Sequence, residues 1–354
     1  MTYLRAIAMT DAARPKAALP LAGGTSWFDR VEVLSRTAPP LILPACELAE
    51  GDQIRLSARR PDFGSLGLGT PRIMGILNIT PDSFSDGGLF LRPEAAVMQA
   101  RLMASGAEII DIGGESTRPG AVEVSVDEEI TRTAPVIAAL RAGGLDAAIS
   151  IDTRKAAVAR AALQAGASWV NDVTALQFDP LMAAVVAEKN VPVILMHSTA
   201  SPATMQDDPR YDDVLLDVYD ALAARVAQAE AAGIARANIA IDPGIGFGKT
   251  LSHNLTLLQR LSLFHNLGLP VLLGASRKRF IGTIGGTVGG AIGAEAEALR
   301  RMPGSLAVAL WGVAQGVQMI RVHDVAETRQ ALSLWQATQN ATQNVTQTEV
   351  RHDA

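Results

Sequence analysis

The stretch "AAISIDTRKAAVARAALQAGASWVND", Ala147 to Asp172, carries the pattern that decides the fold. It begins with a short apolar run and passes into an Ala-rich segment with helical spacing. That segment ends at Gly166, and a second short apolar run follows it. Glycine commonly stands just past the end of a helix. The stretch therefore predicts a strand, a helix and a second strand, the repeating unit of a parallel sheet.

The same alternation of short apolar runs and longer helical stretches continues from Arg72 onward. The eight apolar runs are "IMGIL", "EIIDI", "AAISI", "SWVND", "VPVIL", "NIAID", "PVLLG" and "VQMIRV". Eight units over roughly 265 residues come close to the ~250 residues of a (β/α)₈ barrel. The sequence therefore predicts an α/β fold, with a (β/α)₈ TIM barrel over residues 71–336. A doubly wound open sheet is the competing fold.

Two flanking segments do not share this alternation. Residues 1–70 are punctuated by Pro and Gly, with a candidate strand pair at "DRVEVLS" and "QIRLSA". We interpret them as an N-terminal extension that could cross the bottom of the barrel, extend a dimer interface or be partly disordered. Residues 337–354 are polar and repetitive, which predicts a disordered C-terminal tail.

Composition excludes several classes of function. The chain has 354 residues and a net charge of -5, which argues against binding to nucleic acid or to an anionic membrane surface. The single cysteine, Cys46, allows neither an internal disulfide nor a Cys-based metal site. Asp11 and Arg14 interrupt the start too early for a signal peptide. The apolar run at 304–320 is short for a membrane span, and we expect a buried helix leading into a strand. These features predict a cytoplasmic protein with small-molecule partners.

Polar residues stand at the carboxyl end of every predicted strand, where barrels of this kind carry their chemistry. They are Asn78, Asp111, Asp152, Asn171 with Asp172, His197, Asp242, Ser276 to Lys278, and Arg321 with His323. A purely structural barrel would not need such groups at all eight positions.

Each of these residues also has a structural interpretation. Asp152 could cap the helix that follows it, and Asp111 could accept hydrogen bonds from local backbone amides. Taken alone, His197 is more typical of a buried, hydrogen-bonded histidine than of a ligand. Arg321 and His323 alternate along one strand and so point the same way, which is also compatible with a salt bridge at the rim. The complete set is harder to explain structurally than any single member.

The stretch "IAIDPGIGFGKT", Ile239 to Thr250, ends like a nucleotide-binding P-loop but has the wrong register. A P-loop needs a glycine five positions before its Gly-Lys pair, and that position is Pro243 here. Proline has no N–H group to offer a phosphate. The glycines instead allow a sharp turn after Asp242. Its carboxylate can then accept two parallel hydrogen bonds from the guanidine-like edge of a heterocycle.

Seven short motifs together resemble the dihydropteroate synthase family. In chain order they are "GILNITPDSFSDGG" (75–88), "DIGGESTRPGA" (111–121), "SIDT" (150–153), "VND" (170–172), "DPGIGFGK" (242–249), "GASRK" (274–278) and "RVHDV" (321–325). All seven stand in the order of that family, and the resemblance covers about residues 72–335.

The resemblance implies a transferase reaction of folate biosynthesis. The amine of 4-aminobenzoate displaces pyrophosphate from 6-hydroxymethyl-7,8-dihydropterin pyrophosphate, and 7,8-dihydropteroate is formed. The family uses Mg²⁺, is the target of sulfonamides that mimic the aminobenzoate, and often pairs subunits through late helices. We therefore expect a homodimer.

The resemblance also assigns residues to each substrate. The pterin would contact Asp152, Asn171, Met196, Asp242, Phe247 and Lys278, although Phe247 is equally compatible with ordinary packing. The pyrophosphate would contact Asn78, Arg118, Arg321 and His323, with Asn78 also offering an oxygen to Mg²⁺. The 4-aminobenzoate would contact Phe84, Thr117, Pro119 and Ser276. We expect the catalytic residues to be Asp152, Lys278, Arg321 and His323.

Two alternatives stay open at this stage. A methyltetrahydrofolate-type pterin-binding methyltransferase would share Asp152, Asn171 and Asp242, but it has no pyrophosphate to hold. The cluster of Arg118, Arg321 and His323 therefore favours the synthase. A non-catalytic pterin-binding paralogue is expected to lack part of the pyrophosphate set or Asp152, and the set is complete here.

Overall fold

The protein is described here from a computed structural model that covers residues 2–80, 93–116, 123–199, 209–285 and 298–349. Residues 340–349 are described by their backbone only. A small antiparallel extension precedes a sheet of eight parallel strands, and helices surround that sheet.

The extension is built from short antiparallel strands and one helix. Its elements are β1 (Tyr3–Ala6), β2 (Leu19–Pro20), β3 (Trp27–Phe28), β4 (Arg30–Leu34), β5 (Leu41–Pro44), a 3₁₀ turn (Ala45–Glu47) and α1 (Glu50–Ser57). The central strand β4 pairs with β1 on one side and β5 on the other. The strand predicted at "DRVEVLS" is β4. The strand predicted at "QIRLSA" is wrong, because that stretch lies in α1, where Glu50 and Asp52 occupy the first turn and suit the helix dipole.

The eight barrel strands fall on the eight predicted apolar runs. They are β6 (Arg72–Asn78), β7 (Ile109–Gly113), β8 (Ala148–Asp152), β9 (Trp169–Asp172), β10 (Val193–Met196), β11 (Ile239–Asp242), β12 (Leu272–Leu273) and β13 (Met319–Val322). The sheet order is β11-β10-β9-β8-β7-β6-β13-β12, and a parallel bridge from Ile241 to Val271 joins its two ends. The sheet therefore closes into a (β/α)₈ barrel, and the open doubly wound alternative is wrong.

Helices follow the strands around the outside of the barrel. They are α2 (Pro93–Ala104), α3 (Val126–Ala142), α4 (Ala156–Ala165), α5 (Met182–Lys189), α6 (Val214–Ala231), α7 (Leu251–Gln259), α8 (Arg279–Gly285), α9 (Met302–Ala314) and α10 (Val325–Glu349), with 3₁₀ turns at Arg236–Asn238, Leu261–Leu267 and Ala298–Arg301. Several start at side-chain caps. Ser125, Asp213 and Thr250 accept hydrogen bonds from the first-turn amides of α3, α6 and α7.

The apolar run at 304–320 becomes α9 followed by β13, as expected from the sequence. None of the helices in the described ranges has both the length and the apolarity needed to cross a bilayer. The last helix, α10, continues to Glu349 and so enters the segment for which the sequence predicts disorder. No Gly or Pro interrupts the sequence between Val325 and Glu349, so the packed first turns of α10 can propagate through the polar repeat. Residues 350–354 lie outside the described residues.

The extension covers the amino-terminal end of the barrel. Phe63 and Leu68 pack against the first residues of the strands, among them Met74, Ile109 and Trp169, in one buried apolar cluster. The Phe63 and Trp169 rings meet edge to face with centroids 4.8 Å apart. Residues 63–68 therefore lie across the bottom of the barrel, which is the first of the three alternatives given for the extension.

The beginning of the extension packs on the outside of the barrel. The hydroxyl of Ser262 donates to the carbonyl of Ala6 at 2.7 Å, and the rings of Tyr3 and Tyr219 meet edge to face at 5.3 Å. The extension thus covers one end and one flank of the barrel. The opposite end, where the strands finish, holds the predicted site residues.

Candidate active site

A buried ion cluster lies at the carboxyl end of the barrel, where β7, β8 and β13 end. Nε of Arg321 donates to Oδ2 of Asp111 at 2.6 Å, and a terminal guanidinium nitrogen donates to Oδ2 of Asp152 at 2.6 Å. Asp111 is fully buried and Asp152 is 6% exposed. Burial lowers the pKa of Arg321, but the two carboxylates outweigh it and the net shift is upward. Arg321, predicted as a phosphate ligand, therefore already links two carboxylates.

Asp152 does not cap the helix that follows it. The first backbone amide of α4, that of Ala156, donates instead to Oδ2 of Asp179 at 2.8 Å. Burial raises the pKa of Asp152 to about 7, Arg321 opposes the rise and Asp111 adds to it. A carboxyl group whose pKa is raised by desolvation to near neutral pH is typical of a functional site. The capping interpretation of Asp152 is therefore wrong.

Asn171 joins this cluster through its amide. Its Nδ2 donates to Oδ2 of Asp111 at 3.0 Å, which is the same oxygen that accepts from Arg321. Asp152 and Asn171 are register partners on β8 and β9. In the described part of the chain, Oδ1 of Asp111 and Oδ1 of Asp152 are buried and have no hydrogen-bond partner. Buried oxygens without partners cost free energy, so these atoms are suited to receive a ligand.

The neighbouring Asp172 has a local, structural role. Its Oδ1 accepts from the backbone amide of Thr174 at 2.8 Å, and its Oδ2 accepts from that of Leu176 at 2.9 Å. The carboxylate therefore stabilises the turn after β9. Of the Asn171–Asp172 pair, only Asn171 reaches the ion cluster.

The turn after β11 presents Asp242 as the sequence predicts. Gly244, Gly246 and Gly248 all have positive φ, at 68°, 81° and 58°. The amide of Gly244 donates to Oδ1 of Asp242 at 2.7 Å. A Cβ on Gly244 would come within 1.9 Å of the His197 carbonyl oxygen, so a side chain is excluded there. Burial raises the pKa of Asp242 to about 6, although the Gly244 amide and the nearby Lys278 lower it.

Lys278 and Phe247 form one wall of the site beside Asp242. The Lys278 ammonium lies 3.7 Å from the centroid of the Phe247 ring, a cation–π contact. Burial lowers the pKa of Lys278 to about 7, and Asp242 opposes that shift. Lys278 is thus not a solvated helix residue. Met196, the last residue of β10, is 4% exposed and is the register partner of Asp242 on β11.

Ser276 and His323 contact each other. The Ser276 hydroxyl lies 3.1 Å from Nδ1 of His323 and accepts from the His323 backbone amide at 3.2 Å. The next residue, Arg277, forms an ion pair with Asp324 and has a positive φ of 57°. This pairing ties the loop after β12 to the end of β13. It holds the predicted aminobenzoate residue Ser276 next to the predicted pyrophosphate residue His323.

Asn78 ends β6 next to this cluster. Its register partner is Gly113, and a Cβ there would lie 3.7 Å from Oδ1 of Asn78 and 3.4 Å from Cβ of Asp152. The missing side chain at Gly113 therefore leaves the Asn78 amide and Asp152 close to each other. Within the described residues, no group of three or more His, Cys, Asp or Glu side chains is arranged to hold a metal ion.

The predicted residues Phe84, Thr117, Arg118 and Pro119 lie outside the described residues. The chain on both sides of residues 117–122 is held by an ion network. Glu115 accepts from the backbone amide of Val124 at 2.9 Å and pairs with Arg154 at 3.2 Å and with Lys155 at 3.3 Å. Lys155 also pairs with the buried Glu129 at 2.8 Å.

Sequence reasoning missed the roles of Asp111 and Lys249. Asp111 stands at a predicted strand end, but its contacts with Asn171 and Arg321 depend on barrel closure. The sequence points to Lys249 only through the likeness of its segment to a P-loop. In the structure it is 3% exposed and lies 3.0 Å from Nδ1 of His197. A lone lysine among glycines after an apolar strand indicates such a buried cation. The sequence does not indicate that His197 is its partner.

Comparisons with known proteins agree with this geometry. Residues 74–323 match the family described as "Pterin binding enzyme". Dihydropteroate synthase of Escherichia coli strain K12 is 47% identical over 281 residues, which cover 79% of this chain and 96% of the relative. The chain belongs to the dihydropteroate synthase family of pterin-binding enzymes. It is therefore an enzyme of a transferase family.

Solved structures of the family have the same fold. The Xanthomonas albilineans dihydropteroate synthase with 4-aminobenzoic acid is 46% identical, with a TM-score of 0.71 over 77% of this chain and 95% of its own. The Yersinia pestis dihydropteroate synthase with a sulfonamide drug complex is 44% identical, with a TM-score of 0.72 over 78% of this chain and 96% of its own. The shared region accounts for the barrel.

Proposed function

We propose that the chain condenses 6-hydroxymethyl-7,8-dihydropterin pyrophosphate with 4-aminobenzoate, giving 7,8-dihydropteroate and pyrophosphate. The observation that carries this proposal is the buried cluster of Asp111, Asp152, Asn171 and Arg321 beside Asp242 and Lys278. It offers carboxylates to a nitrogen-rich ring and a guanidinium to a polyanion at one end of the barrel. Family membership supports the same reaction.

Asp242 and Lys278 recognise the pterin. Asp242 accepts from the amino group and the adjacent ring N–H, while Lys278 donates to the ring carbonyl and nitrogen. Asn171 reads a neighbouring donor and acceptor pair, and its orientation is set by Asp111. Met196 and Phe247 flank the ring with apolar surface. These contacts orient the reacting methylene toward the site of attack.

The displacement forms a C–N bond and breaks a C–O bond. The lone pair of the aromatic amine attacks the methylene carbon, and the bonding electrons leave with the pyrophosphate oxygen. The amine is neutral near pH 7, so no strong general base is assigned, and the new C–N nitrogen loses its extra proton to water. Asp152 stabilises the positive charge that develops on the pterin methylene, and Arg321 with His323 stabilises the departing anion.

Arg321 can bind the buried carboxylates and the pyrophosphate at the same time, because its guanidinium carries five N–H donors. Two of them go to Asp111 and Asp152 in the structure. We assign the outward side of the same guanidinium to pyrophosphate, with Arg118 and Asn78 as further ligands. Ser276, which contacts His323, is assigned to the aminobenzoate carboxylate, together with Phe84, Thr117 and Pro119.

Magnesium fits this site as an ion shared with the substrate. Asn78 supplies a hard amide oxygen at the rim, and Mg²⁺ commonly takes only one or two protein ligands while phosphate oxygens and water complete its shell. When bound, Mg²⁺ would neutralise charge on the pyrophosphate leaving group.

We further propose a homodimer through the helices α7, α9 and α10. Leu255, Trp311 and Leu334 are 43%, 45% and 67% exposed on these neighbouring helices. Trp311 donates through Nε1 to the carbonyl of Leu258, which fixes α9 against α7. Light scattering of the wild type and of Leu334→Glu tests this assignment. A monomeric wild type would overturn it.

A cytoplasmic location also stays a prediction.

The proposed reaction is tested by product identification. The purified protein receives the pterin pyrophosphate, Mg²⁺ and 4-aminobenzoate, and the products are identified by mass spectrometry. We expect 7,8-dihydropteroate, and we expect a sulfonamide to reduce its formation in competition with 4-aminobenzoate. Methyl transfer from methyltetrahydrofolate would instead support the methyltransferase alternative. Pterin binding with neither product would support the non-catalytic paralogue.

A further inference from the structure

Lys249 is a buried cation to which the proposed reaction gives no role. It is 3% exposed, and its ammonium lies 2.9 Å from the carbonyl oxygen of Phe247. The same nitrogen lies 3.0 Å from Nδ1 of His197 and 3.4 Å from the His197 carbonyl oxygen. These three contacts are with neutral groups. A buried ammonium is costly to maintain without a carboxylate contact, so its retention calls for a reason.

The three contacts join two neighbouring strand ends. His197 follows β10, whereas Phe247 lies in the turn after β11. The backbone amide of His197 donates to the carbonyl of Asp242 at 2.9 Å. Gly244 packs so closely on His197 that a Cβ would come within 1.9 Å of its carbonyl oxygen. Lys249 therefore fixes the turn that follows Asp242 against the end of the strand that carries Met196.

The same contacts reach the pterin-binding groups. By holding the Phe247 carbonyl, Lys249 fixes the backbone of the residue whose ring lies 3.7 Å from the Lys278 ammonium. The charge of Lys249 also acts on Asp242. Burial raises the pKa of Asp242 to about 6, and the Gly244 amide, Lys278 and Lys249 lower it. Burial lowers the pKa of Lys249 itself to about 7, so it is the protonated fraction of Lys249 that favours the ionised carboxylate of Asp242.

We propose that Lys249, acting through Phe247 and His197, is a positioning residue for pterin recognition. It sets the shape of the turn after β11 and supplies a second positive charge behind Asp242. The inference rests on the proposed function, because it assigns Asp242 to the pterin. It adds a determinant of pterin affinity that does not itself touch the substrate.

Lys249→Met tests the proposal, because methionine has a similar length and shape without charge or donors. We expect the KM for the pterin pyrophosphate to rise roughly 10- to 100-fold, because the turn after Asp242 loses its anchor and small misplacements of substrate-positioning groups are costly. The KM for 4-aminobenzoate and kcat should stay within about threefold of wild type. The melting temperature should change little, because the relief of a buried charge offsets the loss of the three contacts with His197 and Phe247. A purely structural lysine would lower the melting temperature and change both KM values together.

Tyr211→Phe is the matched control. The Tyr211 hydroxyl donates to the Gly248 carbonyl at 2.8 Å, so this change removes a hydrogen bond from the same turn without altering charge. We expect a change in pterin KM of less than about threefold. Equal losses in both variants would show that any loosening of the turn lowers pterin affinity, and would overturn a role specific to the Lys249 ammonium. A wild-type pterin KM in Lys249→Met would also overturn it.

Calorimetry separates this proposal from the proposed function. Binding of 6-hydroxymethylpterin, which lacks the leaving group, is measured for wild type, Lys249→Met and Tyr211→Phe. A wild type that binds this pterin but makes no dihydropteroate would overturn the reaction alone, and the Lys249 comparison would stand on affinities. If Lys249→Met does not fold, Lys249→Gln takes its place with the same expected loss of affinity. Unchanged pterin affinity in the folded variant would overturn the proposal.

Discussion

The two ends of the barrel differ in what fills them. The amino-terminal end is closed by Phe63 and Leu68, which pack on Trp169 and the first residues of the strands. The carboxyl-terminal end holds Asp111 and Asp152 around one guanidinium, with oxygens that have no partner among the described residues. One end is filled by apolar side chains, whereas the other concentrates charge.

The difference shows how one barrel divides stability from chemistry. Burying Phe63 and Trp169 stabilises the fold without the cost of burying an ionisable group. Burying Asp152 and Asp242 raises their pKa values to about 7 and 6, which means that desolvation works against their charged forms. In barrels of this kind the bottom supports stability and the top carries the activity.

The largest expected effect is on stability at the amino-terminal end. Phe63→Ala leaves a cavity against Trp169 and should lower the free energy of unfolding by about 3–5 kcal/mol. The kcat/KM of the folded fraction should stay within about twofold of wild type. Denaturant titration measures the first quantity, and steady-state kinetics below the melting transition measures the second. A loss of activity in fully folded Phe63→Ala would contradict the assignment of stability to the amino-terminal end and of activity to the carboxyl-terminal end.

The next effect is on turnover at the carboxyl-terminal end. Arg321→Ala should lower kcat by roughly 10²–10³, because a preorganised donor to the leaving group is lost. Arg329→Ala is the matched control. Arg329 bonds the Gly106 carbonyl and Glu108 on the outside of the barrel, so kcat should not change. Wild-type turnover in Arg321→Ala would remove the pyrophosphate assignment.

A somewhat smaller effect is expected on pterin affinity. Asp242→Asn replaces an acceptor by a donor that faces the donors of the pterin edge. The dissociation constant of 6-hydroxymethylpterin should rise roughly 10- to 100-fold, since charged hydrogen bonds contribute about 1.5–3 kcal/mol. Isothermal calorimetry measures it. Unchanged affinity would move pterin recognition away from the turn after β11.

The smallest effect is the pH dependence of stability. The pKa of Asp242 is raised from 3.8 to about 6, so its folded form binds a proton more tightly than its unfolded form. Its contribution to stability is therefore complete below pH 3.8 and is lost as the pH rises through 6. Relative to Asp242→Asn, the wild type should lose about 1 kcal/mol of unfolding free energy between pH 5 and 6.5. No difference in slope between the wild type and Asp242→Asn would show that the neighbouring lysines keep Asp242 ionised throughout this range.

The sequence predicted the barrel because strand and helix periodicity are local properties. All eight apolar runs became barrel strands, and the Gly-rich segment after Asp242 formed the expected turn. The stretch "QIRLSA" was misassigned because Ile54 and Leu56 alternate with polar residues as in a half-buried strand, whereas in α1 they point to different sides and Ile54 is 55% exposed. Only Leu56 of that helix is buried.

Contacts between distant strands were beyond sequence reasoning. The packing of Phe63 on Trp169 joins residues from the extension and β9. The Arg321 contacts with Asp111 and Asp152 join β13 to β7 and β8. Such pairs depend on how the barrel closes, and residue types alone do not give their geometry. The residue types did place the charges at the correct end of the barrel, because that end is fixed by strand direction.

Pyrophosphate release tests the central claim most directly, namely that the carboxyl-terminal end transfers the pterin methylene to an aromatic amine. Wild type, Arg321→Ala and Phe63→Ala would each receive the pterin pyrophosphate and Mg²⁺, with and without 4-aminobenzoate. We predict release that depends on 4-aminobenzoate in wild type and in folded Phe63→Ala, and a loss of roughly 10²–10³ in Arg321→Ala. No release by wild type, or equal release without 4-aminobenzoate, would contradict the account.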